Sequence, residues 1–357
     1  MTPEAKVLEE IEHVLGKPIP LVSQVEWDTF GKKAEGPHII ELGLFHCGLK
    51  ELPDSIGQMN SLQVLHLCEN QLQTLPESFG NLKSLKTLSF GSNQLNNLPE
   101  SFKQLSSLQW LDLHDNKLTT LRESFGDLHS LQTLYLHHNQ LTALPSTFGN
   151  LKSLQDLGLS YNRLANLPNS FGNLKSLQYL YLDHNQLKNL PESIPQVTSL
   201  QVLGLGNNQL TALPESLSNL KSLNTLLVLE NQLKNLPESF GSLESLQNIY
   251  LNANKLVNLP SSFGHLPSLK WLLLDLNQLT VVPEQILQLK TLEILGLSGN
   301  RLSTLPAALE NLSDLSLLFI EDNPLDANGK AILKKLEQGG TKLGKYKKQS
   351  VPFVPIK

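Results

Sequence analysis

The sequence predicts an α/β solenoid, with short parallel strands stacked on one face, single helical turns on the opposite face and a helical cap at each end. Three observations carry this. Twelve asparagines (Asn70, Asn93, Asn116, Asn139, Asn162, Asn185, Asn208, Asn231, Asn254, Asn277, Asn300 and Asn323) stand 23 residues apart with no insertion or deletion. A period held that strictly marks stacked repeats rather than separate globular domains. Around each runs one frame, L-x-x-L-x-L-x-x-N-x-L-x-x-L-P-x-x-F-x-x-L, as in Leu62, Leu65, Leu67, Asn70, Leu72, Leu75, Pro76, Phe79 and Leu82. The chain is also 40% hydrophobic over 357 residues, so stacking can bury a continuous core that no single unit could.

Residues 1–38 are the first cap. Thr2 and Pro3 suit the start of a helix, and Val7, Leu8, Ile11, Val14 and Leu15 recur at helical spacing until Gly16 and Pro18 stop the pattern. The stripe covers the open edge of the first unit, with Trp27 and Phe30 as bulk beneath it. Residues 39–324 carry thirteen units, the first atypical, with Cys47 in the asparagine position. Leu at the first, fourth and sixth positions places a short strand whose alternate side chains enter the core. Segments such as Pro76-Glu77-Ser78-Phe79-Gly80-Asn81-Leu82 are too short for a long helix, so each unit returns through a single helical turn. Asn suits the ninth position because a buried turn leaves backbone N–H and C=O groups unpaired, and one amide can both donate and accept. Phe79, Phe102, Phe125, Phe148, Phe171, Phe240 and Phe263 form a packed spine across the turns. Asp326 caps a second helix within residues 325–340, whose apolar face is Ala331, Ile332, Leu333 and Leu336. Residues 341–357 are a basic tail. Residues 327–357 hold eight Lys against one Glu, or +7, which leaves −12 for residues 1–326 within the net −5.

Several function classes are excluded. Residues 1–38 hold no 18-residue apolar run and lack the order of a signal peptide. With only Cys47 and Cys68 present, a reducing, cytoplasmic location is expected. No Gly-rich phosphate loop and no G-x-S-x-G elbow occurs, and no Cys follows Cys68 to act as a ligase nucleophile. The expectation is a chain that is not an enzyme and holds no cofactor or metal. His114 and His137 fall in the same position of adjacent units, about 5 Å apart at the strand spacing, but no Cys joins them on what is an open face.

The frame, and the recurring phrase Leu-Pro-Glu-Ser-Phe-Gly-Asn-Leu-Lys-Ser-Leu, resemble leucine-rich-repeat proteins of the intracellular type over roughly residues 39–324. The resemblance implies a right-handed, curved solenoid whose parallel strands line a concave face, and protein binding through the third, fifth, seventh and eighth positions of each unit. Departures from the pattern are few. Arg122 replaces Pro, Lys103 replaces Gly, and Ile194-Pro195-Gln196-Val197 replaces Phe-Gly-Asn-Leu, each expected to kink or expose one convex turn.

Copies made by duplication retain what packing requires, so the positions that vary between units are those free to be shaped by a partner. Across the 52 residues of those four columns there are ten carboxylates and no Lys or Arg. Trp110, Asp112, His114, Asp115, Tyr135, His137, His138, Asp156, Tyr161, Tyr179, Tyr181, Asp183 and His184 fall in four adjacent units and form the expected binding patch, with exposed aromatic anchors beside charges. A second, more apolar patch includes Leu227, Leu229, Tyr250, Trp271, Leu273 and Phe319. Such a face repels phosphates, so the expected partner is a basic or amphipathic protein rather than nucleic acid or an anionic membrane. A ligand-sensing module, for a glycan for example, is the alternative. A monomer is expected, with weak self-association where Lys342, Lys345, Lys347 and Lys348 of one copy meet the acidic face of another.

Overall fold

The computed structural model describes residues 3–345. Two compact units divide the chain, residues 1–186 and 187–357. Thr2, Lys347 and Lys348, to which the sequence assigned a helix cap and a tail contact, lie outside the described residues.

In the first unit, helix α1 (Pro3–Leu15) buries Val7, Leu8 and Ile11 and ends at Gly16, whose φ of 65° an L-residue adopts reluctantly. A buried carboxylate ties it down. Glu4 accepts the backbone N–H of Ile39 at 3.0 Å and of Ser61 at 3.2 Å, so the cap is bonded to both ends of the first repeat. Next comes an antiparallel pair that the period does not foreshadow, β1 (Phe30–Glu35) against β2 (His38–Leu44). Trp27, expected beneath the helix, is 58% exposed and sits edge-on against Phe45. Six three-residue strands follow in parallel: β3 (Val64–His66), β4 (Thr87–Ser89), β5 (Trp110–Asp112), β6 (Thr133–Tyr135), β7 (Asp156–Gly158) and β8 (Tyr179–Tyr181). They stay in register, with Leu65, Leu88, Leu111, Leu134, Leu157 and Leu180 paired in turn, because the period never slips.

Each asparagine bridges two repeats. Asn139 accepts the N–H of Leu118 through Oδ1 (3.0 Å), and its Nδ2 donates to Leu113 O (2.9 Å) in the preceding unit and Leu136 O (3.1 Å) in its own. On the opposite side, a proline in extended conformation precedes most of the 3-10 turns, and where a Phe follows, its N–H donates to that proline's carbonyl, as from Phe148 to Pro145. Phe125, Phe148 and Phe171 stack with centroids 6.4 and 5.9 Å apart. Neighbouring turns come so close that a Cβ on Gly149 would lie 1.9 Å from the Ser170 carbonyl oxygen.

Two departures now have a physical account. Arg122 keeps the extended backbone of the proline it replaces (φ −70°, ψ 155°), so the expected kink is absent, and its Nε donates to Leu98 O. Lys103 brings a Cβ where other turns carry Gly. A crevice of about 440 Å³ opens there, bordered by Phe102, Lys103, Arg122 and Phe125.

In the second unit, β9 (Val202–Gly204), β10 (Thr225–Leu227), β11 (Asn248–Tyr250), β12 (Trp271–Leu273), β13 (Ile294–Gly296) and β14 (Leu317–Phe319) run parallel in sequence order. The turn at Ile194–Gln196 is shortened to three residues. Helix α2 (Ala327–Gln338) is capped by Asp326, which accepts the Gly329 N–H at 2.7 Å. Lys342–Gly344, assigned to the tail from sequence, add a further parallel strand, β15, against β14. Lys345 then reaches Glu321 at 3.6 Å.

Candidate functional site

The four variable columns meet different environments in the first unit. Trp110, Asp156 and Tyr179 of the third column are half-buried. Asp112, Tyr135 and Tyr181 of the fifth are only 6–8% exposed, so the two tyrosines are not the exposed aromatics expected from the sequence. Rungs of a parallel sheet are about 4.8 Å apart, so a large side chain in mid-strand is flanked on both sides and folds over any small neighbour. Tyr135 leans over Gly158, where an added Cβ would lie 3.1 Å from its ring, and the His114 ring fills the space above Gly91.

Beneath the surface these side chains form a polar network. Cys68 and Ser89 share a hydrogen bond at 2.6 Å, and the Ser89 hydroxyl donates to Asp112 at 3.0 Å. The other Asp112 oxygen accepts the His114 backbone N–H (3.0 Å) and lies 2.7 Å from its Nδ1. Burial works against the Asp112 charge, yet the bonds from His114 and Ser89 outweigh it and hold the carboxyl below its ordinary range. The same pairing raises His114, against its own burial. His137, stacked on His114 at 5.0 Å, is pushed down to about 4 by burial and then by that neighbour. The spacing expected of this pair therefore holds. Tyr135 donates to Asp156 at 3.0 Å, and burial raises both groups. Tyr181 is pushed up to about 12, again first by burial.

The accessible edge is the eighth column. Asp115, His138, Tyr161 and His184 have φ between 48° and 57°, a left-handed turn that lifts each side chain off the sheet. Tyr161 is 43% exposed and lies between two imidazoles, 4.2 Å from His138 and 4.1 Å from His184, with nearly parallel rings. His137 and His138 keep their rings edge-on at 5.8 Å. Asp115 stands 3.9 Å from both His114 Nε2 and His138 Nδ1. Sequence reasoning missed the left-handed turn, although a signal was present. None of the thirteen eighth-position residues is β-branched, and His, Asp, Asn and Gly, which tolerate positive φ, supply seven of them.

In the second unit the expected apolar patch is largely covered. Tyr250 is 2% exposed, and Leu227 and Leu273 are buried; only Leu229, Trp271 and Phe319 are half-exposed. Tyr250 is thus a packed side chain rather than an exposed one. Beside it lies a feature the sequence did not single out. Asp275 is fully buried, accepting the Ser298 N–H and the Asn252 amide at 2.9 Å each, and burial pushes it up to about 7.

Models of the leucine-rich repeat region match residues 38–119, 80–161 and 149–226, and a leucine-rich-repeat model matches 267–325. The chain is a leucine-rich-repeat protein. A leucine-rich-repeat protein of Leptospira interrogans is 31% identical, with 85% of this chain and 95% of that one covered and a TM-score of 0.53. The ectodomain of an Arabidopsis thaliana membrane receptor kinase, solved in complex with Casparian strip integrity factor 2, is 28% identical at a TM-score of 0.69. That match covers 84% of this chain but only 41% of the ectodomain. An internalin of Listeria monocytogenes, 21% identical, shares the fold with a TM-score of 0.73 over 97% of this chain and 96% of its own. Comparison with curated proteins finds no sequence match.

Leucine-rich-repeat folds are typically interaction modules. The Ser89 hydroxyl donates to the Asp112 carboxylate, and burial drives the Cys68 thiol up to about 11. Among the described residues no group of three or more His, Cys, Asp or Glu side chains is placed to hold a metal ion. No described helix is long and apolar enough to cross a membrane.

Proposed function

We propose that this leucine-rich-repeat protein is a non-enzymatic binding module whose first unit takes a basic protein segment on its concave face. The observation that carries the reading is the set of groups left accessible there: Asp115 and Tyr161, with half-buried Trp110, Tyr179 and Asp183, on columns that hold no Lys or Arg. A rigid sheet presents them at little entropic cost, and acidic side chains speed and select a basic partner more than they add affinity. The Arabidopsis ectodomain was solved with its factor bound, which supports a binding role at the level of the family. The glycan alternative is less favoured, because the rings of His138, Tyr161 and His184 spend their faces on one another and offer mainly edges. Two free cysteines fit residence in a reducing compartment.

The test is equilibrium binding of an octa-arginine probe to the wild type, to Asp115→Asn/Asp183→Asn and to Tyr161→Ala. Affinity should fall on the order of tenfold in the double variant and weaken as salt is raised. Equal affinity in all three proteins would sink the assignment.

A further inference from the structure

Asp115 is an exposed carboxylate of the face and stands between two imidazoles. Its oxygens lie 3.9 Å from His114 Nε2 and 3.9 Å from His138 Nδ1, one oxygen to each ring. At that distance neither contact is a hydrogen bond, so the carboxylate is not committed to its neighbours while both rings are neutral. We infer that His114 and His138 gate the proposed basic-segment site, closing on Asp115 in mild acid and withdrawing it from the partner. The inference rests on the binding reading above.

The surroundings of the two rings support the gate. His114 faces Asp112 at 2.7 Å, Asp115 at 3.9 Å and the stacked His137 at 5.0 Å, and lies over Gly91, which adds no charge. His138 faces Asp115 at 3.9 Å, His137 edge-on at 5.8 Å and Tyr161 face-on at 4.2 Å. At His114 burial opposes the charge, but the hydrogen bond to Asp112 and the carboxylates of Asp112 and Asp115 outweigh it and favour an imidazolium, while the neighbouring His137 is kept neutral by burial until about pH 4. Imidazoles as a class change charge between about pH 5 and 8. Two protonations therefore exchange an isolated carboxylate for an internal cation–carboxylate–cation cluster. The local charge of Asp115, His114 and His138 goes from −1 to +1, and a cationic partner loses its attraction.

Octa-arginine affinity, measured at about pH 7.5 and about pH 5.5, is expected to fall about tenfold or more on acidification of the wild type. For His114→Gln/His138→Gln the ratio between the two pH values should be near one, whatever the affinity itself. A double variant that keeps the wild-type ratio overturns the gate. Should octa-arginine fail to bind at about pH 7.5, the binding reading fails, and the clamp is judged on NMR titration of the His114 ring. Asp115→Asn should move that titration to lower pH, and an unmoved midpoint overturns the clamp without reference to any ligand.

Discussion

Replacing Asp275 by Asn is expected to make the protein more stable, and increasingly so as pH rises. The carboxyl is fully buried, and its two oxygens accept only neutral donors, the Ser298 N–H and the Asn252 amide, with no ion pair to a cation among the described residues. Burial is the leading cause of its rise from an ordinary 3.8 to about 7. The sign follows from linkage. Because the folded state holds this proton more tightly than the unfolded state, its contribution is complete below about pH 4 and is lost as pH climbs through 7. Over that window the loss approaches about 4 kcal/mol as an upper bound. An amide presents the same shape with no charge to bury, and Asn252 Oδ1, which has no hydrogen-bond partner, can turn to accept from it.

Equilibrium urea unfolding of wild type and variant, followed by circular dichroism, measures the difference directly. It should be small near pH 4.5 and grow to several kcal/mol in favour of the variant by about pH 8. His137, held down to about 4, contributes the opposite slope as pH falls below its ordinary range, but it is common to both proteins and cancels. A variant-minus-wild-type difference that stays constant from acid to alkali would refute the reasoning.

Other expectations follow from the same contacts. Asn139→Leu leaves the Leu118 N–H and the Leu113 and Leu136 carbonyls without this partner, a loss on the order of 4 kcal/mol; a thermal midpoint near the wild type would contradict it. Gly149→Ala forces a methyl against the Ser170 carbonyl oxygen and should cost about 2 kcal/mol or more in chemical denaturation, unless the two turns separate freely. Tyr135→Ala, in the buried column, should cost about 3 kcal/mol or more, whereas Tyr161→Ala, on the raised edge, should stay within about 1 kcal/mol; reversed costs would mean the two columns have been assigned the wrong way round.

The repeat was legible because packing enforces it. A 23-residue period, Leu at alternate strand positions and Asn at each turn all serve one core, so local pattern and fold agree. What escaped the sequence lies where no period operates. Glu4 reaches Ile39 and Ser61 across 35 and 57 residues, and neither its burial nor its partners leave a local trace. The β1–β2 pair is a single antiparallel event at the edge of the first repeat, with Leu21 bridging to Lys32 at its outer side.

Within the candidate site, composition was legible and accessibility was not. Strand alternation correctly sends the fifth residue to the concave side, but alternation concerns direction and says nothing of neighbours. At the rung spacing the fifth column is covered from both sides, so Tyr135 and Tyr181 behave as packing residues although they point away from the Leu core. The eighth column escapes because its left-handed backbone steps out of the sheet plane just before each Asn anchors the turn. Left-handed backbone and exposed side chains therefore fall on the same residues. The ladder that fixes Asn139 and Asn162 also fixes how far His138 and Tyr161 stand out.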